Sequence, residues 1–280
     1  MRYWSLIFAI AALFSVGAFA YAPFSPDWWL PNPADEPGHV VSKAGREIDA
    51  LFLIILWLSG IVFVATQAAM VWAQFRYADR LDADGKPVRP AHYFHGSQRL
   101  EVLWTIVPAG ILLFLALYQM GTWADIKFRS AAPRTPVLAE VTARQFQWLI
   151  KYPGPDGKIG TMDDLFTIND LHFVKDETAL IHLKSADVIH SFFLPQMRIK
   201  QDAVPGMTIP VWFDSDRAGR FELACAELCG WGHYKMRGEV VVHETREDFE
   251  AWQAARLAEQ GRSQVGEPED DDETSEGDRQ

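Results

Sequence analysis

Only two cysteines, Cys225 and Cys229, occur in 280 residues, so no disulfide framework organises this chain. The haem-attachment sequence Cys-x-x-Cys-His is absent, which excludes a covalently fused c-type haem. Positive charge is in deficit, with a formal net charge of −11. Nucleic acid is therefore not a partner, because a phosphate-binding surface needs a basic patch. No internal repeat is visible, which leaves solenoids and arrays aside. Much of the negative charge lies in residues 261–280, where eight acids face only Arg262 and Arg279. A tail this polar has nothing to bury and is expected to be disordered.

Apolar residues, by contrast, make up 49% of the chain. That suffices for membrane anchors and a soluble domain of ordinary size. Residues 1–20 open with Met1-Arg2, run apolar, and close on Ala18-Phe19-Ala20. This pattern fits either a cleaved export signal or a first membrane helix. A lead segment, 21–47, precedes a two-helix hairpin over 48–122. Within it, Ala50–Trp72 and Val102–Met120 (with Pro108 inside) are apolar nearly throughout. Each is close to the ~20 residues that cross ~30 Å of hydrocarbon. The connecting loop, 75–99, carries Arg76, Arg80, Lys86, Arg89 and Arg99, against only Lys43 and Arg46 ahead of the first span. Positive loops stay inside, so everything after Met120 is expected outside a bacterial inner (plasma) membrane.

The outer part, 130–245, reads as strands: Val137–Ala143, Gln145–Lys151, Leu180–Ser185, Thr208–Phe213, Gly219–Cys225 and Arg237–His243. Alternation and β-branching mark them, with turns at Pro153-Gly154, Pro205-Gly206 and Ala218-Gly219. The fold class is thus membrane-anchored all-β, a sandwich or small barrel behind a transmembrane hairpin. One closing helix is expected over Glu247–Glu259, within 246–260. Residues 152–176 read as an insertion between strands. The spacing of Asp156, Asp163 and Asp164 fails the EF-hand pattern, so that segment is taken as an acidic solvated loop.

The chemistry concentrates in Cys225-Ala226-Glu227-Leu228-Cys229-Gly230-Trp231-Gly232-His233-Tyr234-Lys235-Met236. Thiolate and thioether are soft ligands that select copper, and imidazole suits copper as well. Paired thiolates can bridge two ions and spread one electron over both, so that each bond changes little. A second imidazole must come from elsewhere. His190, in the apolar run Val188-Ile189-His190-Ser191-Phe192-Phe193, is the candidate. On spacing alone Cys225 and Cys229 could instead form a disulfide. Structural zinc is a second alternative, although zinc motifs seldom add a Met. The remaining histidines, His39, His92, His95, His172, His182 and His243, read as ordinary polar groups.

With these residues in place, the chain resembles cytochrome c oxidase subunit II over roughly 45–255. The resemblance implies a cupredoxin-like Greek-key domain carrying the dinuclear copper centre CuA. Cys225 and Cys229 would bridge the coppers, while His190 and His233 would each terminate one. Met236 and the Glu227 carbonyl would be weak axial ligands. The Glu227 carboxylate is similar to the residue that, in the family, reaches a magnesium or manganese ion shared with subunit I. Glu101-Val102-Leu103-Trp104-Thr105-Ile106-Val107-Pro108 is similar to a family motif whose Glu lies at the mouth of a proton channel. Lys200–Gly206 resembles a signature that packs on subunit I, so Lys200 and Asp202 are docking residues there, while Asp187 and the loop around Asp163 are expected to help a cytochrome c dock. The family pattern Gln-Trp-aromatic-Trp stands here as Gln145-Phe146-Gln147-Trp148, so Phe146 and Trp148 would be where electrons come in. The implied partners are subunits I and III, a c-type cytochrome donor and the lipid bilayer. Three rival readings are a quinol oxidase subunit II, which lacks copper ligands, a CuA subunit of a nitric oxide reductase, and a membrane-anchored copper chaperone.

Overall fold

A long, nearly unbroken apolar run has no choice in hydrocarbon but to satisfy its own backbone, and the helix does so. The computed structural model describes residues 2–24, 40–77, 82–85, 88, 95–128 and 132–264. Most of the lead segment, three of the loop cations (Arg80, Lys86 and Arg89) and the acidic tail beyond 264 lie outside the described residues. The chain divides into two units, 1–39 with 46–127, and 40–45 with 128–280.

The first unit holds α1 (Arg2–Tyr21), α2 (Lys43–Tyr77) and α3 (Gln98–Lys127). The last two are long and apolar enough to cross a membrane. Their apolar side chains, among them Trp57, Ile61, Leu112 and Phe114, are exposed. Surfaces of that kind call for lipid, and the chain is membrane-anchored. Both helices outrun their apolar cores. At 1.5 Å per residue α2 is about 50 Å long, well beyond the hydrocarbon, so its polar ends stand in the interfaces. Ser42 starts α2: its Oγ accepts the Gly45 amide at 2.9 Å and donates to the Met197 carbonyl at 2.9 Å. That cap satisfies one of the helix's open N–H groups. Glu101 sits in the first turn of α3, where a carboxylate also favours the helix dipole.

The second unit is a β-sandwich. Its strands are β1 (Ala139–Arg144), β2 (Gln147–Tyr152), β3 (Leu165–Ile168), β4 (Asp170–Val174), β5 (Ala179–Ser185), β6 (His190–Leu194), β7 (Ile199–Ala203), β8 (Ile209–Phe213), β9 (Gly219–Cys225) and β10 (Arg237–His243). One sheet runs β3-β2-β1-β5-β8 and the other β4-β10-β9-β6-β7. The pairs β1/β5 and β4/β10 are parallel and the rest antiparallel. Alternation sets the inner faces: Val141 and Ala143 from β1, and Trp148, Ile150 and Tyr152 from β2, are fully buried. Each large apolar side chain among them contributes about 1.5–3 kcal/mol by leaving water.

Two expectations need correction. Residues 152–176 are no simple insertion, because they supply β3 to one sheet and β4 to the other. Only the turn between β2 and β3 is loop. Its carboxylates serve their own backbone: Asp163 accepts the Asp156 amide at 3.1 Å, and buried Asp164 accepts the Gly160 amide at 2.7 Å. Strands β6 and β7 were also absent from the sequence reading, since Pro195 and short lengths obscure them.

The closing helix, α4 (Arg246–Gln264), runs beyond Glu259. Thr245 caps its start: its Oγ1 accepts the Asp248 amide at 3.2 Å and donates to the Asp248 carboxylate at 2.8 Å. At the far end Gln260 accepts the Phe166 amide at 3.0 Å and donates to the Asp164 carbonyl at 2.9 Å, so edge strand β3 holds the last turns. In the middle Trp252 lies flat on His172, with centroids 3.6 Å apart and planes at 10°. His172 faces His243 at 2.8 Å and Asp170 at 2.8 Å. Burial, then the neighbouring His172, lowers the His243 pKa; Asp248 and Asp170 pull weakly the other way. A depressed histidine stabilises the fold above its unfolded pKa of ~6.5 and loses that contribution as pH falls through the folded value. Thermal unfolding of the chain is therefore expected at lower temperature at pH 5 than at pH 7.5. His243→Gln should flatten that slope; an unchanged slope would exclude His243 as its source.

Candidate metal centre

His190, Cys225, Cys229, His233 and Met236 come together because β6 and β9 are neighbours, with Phe192 paired to Cys225. Strand β9 ends on Cys225 and β10 begins just after Met236, so the whole ligand loop is the connection between two paired strands. Its base is closed by the Cys225 amide donating to the Met236 carbonyl at 3.1 Å. The Ala226 amide donates to the Ser191 carbonyl at 3.0 Å, which ties the loop to β6. A single 3₁₀ turn, His233–Lys235, brings His233 back toward the cysteines.

The two sulfurs are 3.9 Å apart and both cysteines are free. A disulfide needs ~2.05 Å, so that alternative does not describe this structure. His190 Nδ1 lies 4.0 Å from Cys225 Sγ, and His233 Nδ1 lies 3.6 Å from Cys229 Sγ. Met236 Sδ is 3.8 Å from Cys229 Sγ, while the Glu227 carbonyl accepts from Cys225 Sγ at 3.3 Å. Ligand atoms of His190, Cys225 and Cys229 lie within 4.8 Å of one another, a set His233 does not join. Each end of the thiol pair therefore has its own imidazole and one weaker donor. One tetrahedral zinc would instead draw its four ligands around a single point. The donor set fits two soft cations sharing the sulfurs.

Electrostatics agree with a cation. Burial, and then the adjoining Cys225 thiol, push the Cys229 thiol up to about 11, so a thiolate pair needs positive charge beside it. His190 is wholly buried, and its Nε2 donates to Asp187 Oδ1 at 2.8 Å. This leaves Nδ1 turned to the thiol, the carboxylate–histidine arrangement that orients metal ligands. Asp187 also accepts the Gln145 and Val188 amides, both at 2.7 Å. Burial raises its pKa, but those two amides and the His190 ring outweigh it and hold the carboxyl below its usual range.

Asp187, expected at a docking surface, is exposed, and its carboxylate also holds His190. An Asp three residues before a candidate ligand His was the available signal. Trp148 needs correction. It is wholly buried, edge-on to His190 and Phe192 with centroids at 6.3 and 5.6 Å, so no donor protein can touch it. Phe146, in the β1–β2 turn, is half-buried beneath the ligand loop. A Cβ on Gly232 would stand 2.5 Å from its ring, which requires glycine there. Gln145 Nε2 donates to the Cys229 carbonyl at 2.6 Å, pinning the loop from the same turn. Glu227 is exposed. On β7, Lys200 pairs with Asp202 at 2.8 Å, and Asp202 also accepts from Ser191 Oγ at 2.7 Å. Glu101 belongs to the other unit.

Residues 138–244 match the family described as cytochrome C oxidase subunit II, periplasmic domain, and residues 41–121 match the transmembrane domain of the same subunit. The alternative cytochrome c oxidase subunit 2 of Bradyrhizobium diazoefficiens is 31% identical over 87% of this chain and 89% of that protein. Cytochrome c oxidase subunit 2 of Thermostichus vulcanus is 29% identical over 82% of this chain and 79% of that one. Among solved structures, the periplasmic domain of cytochrome oxidase subunit II of Bradyrhizobium japonicum is 26% identical. It covers 46% of this chain and 98% of its own, with a TM-score of 0.41.

Proposed function

The chain belongs to the cytochrome c oxidase subunit II family, and on that premise we propose that its β-sandwich holds the paired-copper centre CuA. It thereby serves an oxidase as the subunit that receives electrons from a c-type cytochrome, bound for haem and oxygen in subunit I. The observation that carries this reading is the symmetry of the donors: one imidazole at each end of a thiol pair.

Cys225 and Cys229, with His190 and His233, would hold the metals, and Met236 and the Glu227 carbonyl would be weaker donors to them. When bound, such a centre supplies one-electron relay chemistry with little change in bond lengths. The chain's residues do the rest. Asp187 fixes the His190 tautomer, burial of Met236 and Cys229 excludes water, and the Gln145–Phe146 turn keeps the loop in place. The exposed Glu227 carboxylate is free of the thiol pair and suits a magnesium or manganese ion shared with subunit I. Lys200 and Asp202 would dock on that subunit, Glu101 would stand at a proton-channel mouth, and subunit III would complete the complex. The membrane is the bacterial inner membrane, with the sandwich on its outer side.

The test is metal loading of the full chain in detergent. Two coppers per chain, intense purple colour, and a spin-resonance pattern of one electron shared equally by two copper nuclei are expected. A colourless product with Cys225 and Cys229 joined as a disulfide in excess copper would sink the reading.

A further inference from the structure

Cys229 and Met236 are buried, but the middle of the loop is among the most exposed apolar surface of the sandwich. Leu228 is 77% exposed, Trp231 81% and Tyr234 66%, and Ile189, next to His190, is 48% exposed. Leaving an indole in water forgoes the stabilisation its burial would give, and an apolar group of this size beside a functional site marks a contact surface. Trp and Tyr are the residues that dominate such contacts.

Trp231 is placed for more than contact. It lies two residues from Cys229 and two from His233, so its backbone belongs to the ligand loop itself. Its ring meets the Phe146 ring edge-on, with centroids 5.4 Å apart and planes at 69°. Phe146 in turn fills the space against Gly230 and Gly232. The two rings make a continuous aromatic step from solvent to the loop, with Trp231 outside and Phe146 inside. Lys235 Nζ stands 6.0 Å from the Trp231 ring and 5.4 Å from that of Tyr234. Exposed charge on the loop is thus limited to Lys235 and Glu227, one of each sign, and the surface suits the apolar rim of an exposed haem edge.

We propose that Trp231 is the residue on which a c-type cytochrome seats its haem edge to pass its electron into this chain. The proposal rests on the paired-copper reading above. One electron leaves the donor's ferrous haem, which becomes ferric, and the metal centre held by Cys225 and Cys229 is reduced by one. No bond forms or breaks and no proton moves.

The experiment uses the whole oxidase complex with Trp231→Ala and Trp231→Tyr. Copper absorption should persist in both. The Kd for cytochrome c carrying zinc in place of iron, which binds but transfers no electron, should rise about tenfold or more for Trp231→Ala. The ratio of cytochrome c oxidation to oxidation of a small one-electron dye should fall by a similar factor. Trp231→Tyr, which keeps a large ring, should recover most of both. A Kd and a ratio within twofold of wild type would overturn the proposal. So would a parallel fall in dye and cytochrome oxidation, which would mark a distorted loop or a contact with subunit I. If the wild-type complex oxidised the dye but never cytochrome c, the donor reading would fail and this inference with it. A competent wild type with an unaffected Trp231→Ala condemns the Trp231 assignment alone.

Discussion

Cys229→Ser is expected to abolish the two-copper signature outright while leaving the sandwich folded. Cys229 Sγ is the hub of the site, within 3.6–3.9 Å of Cys225 Sγ, His233 Nδ1 and Met236 Sδ. A serine hydroxyl is a hard, weakly acidic ligand, and it cannot bridge soft cations as a thiolate does. Copper per chain should fall from two to one or none, the purple colour should vanish, and any residual resonance should come from a single copper nucleus. Met236→Leu is the informative contrast, because a fully buried thioether at the edge of the site tunes the metal without holding it. That variant should keep both coppers with a shifted potential. Two coppers retained in Cys229→Ser would show that the sulfur does not bridge.

The second large effect is on stability. Trp148→Ala should cost about 3–5 kcal/mol, the range for emptying a large buried aromatic site. Trp148 is 0% exposed and packs edge-on against both Phe192 and the candidate ligand His190, so copper retention should weaken with it. Its indole N–H has no hydrogen-bond partner among the described residues. Trp148→Phe therefore loses ring area but no hydrogen bond, and should cost well under half as much. Chemical denaturation of the three proteins measures this. Equal losses for Ala and Phe would mean that the indole N–H matters after all.

Both effects trace to residues whose importance was legible to different degrees. The candidate ligands stand out in the sequence because coordination chemistry restricts such groups to a few residue types, and β9 and β10 hold Cys225 through Met236 in one short connection. The membrane helices were legible because hydrocarbon tolerates almost nothing but apolar side chains. Edge strands β3 and β7 were not, since half of each such strand faces water and its composition blends with that of loops. The role of Asp187 was hidden for another reason. A carboxylate near a basic partner reads as surface charge until the fold shows it bonded to a ligand imidazole. Trp231 was passed over because an aromatic between two glycines gives no sign of facing outward.

The backbone hydrogen bond between Cys225 and Met236 has an entropic consequence. It joins the first and last candidate ligand residues of the loop through the backbone alone. Closing a flexible segment of this length costs about 2 kcal/mol on a logarithmic scale. Here the fold meets that cost through the β9–β10 ladder rather than the metal through its bonds. Binding affinity that would otherwise be spent gathering the chain is left for the coordination bonds themselves. The same closure means that an ion can leave only through distortion of a paired ladder, so metal loss should be slow even where a competing chelator is the stronger ligand.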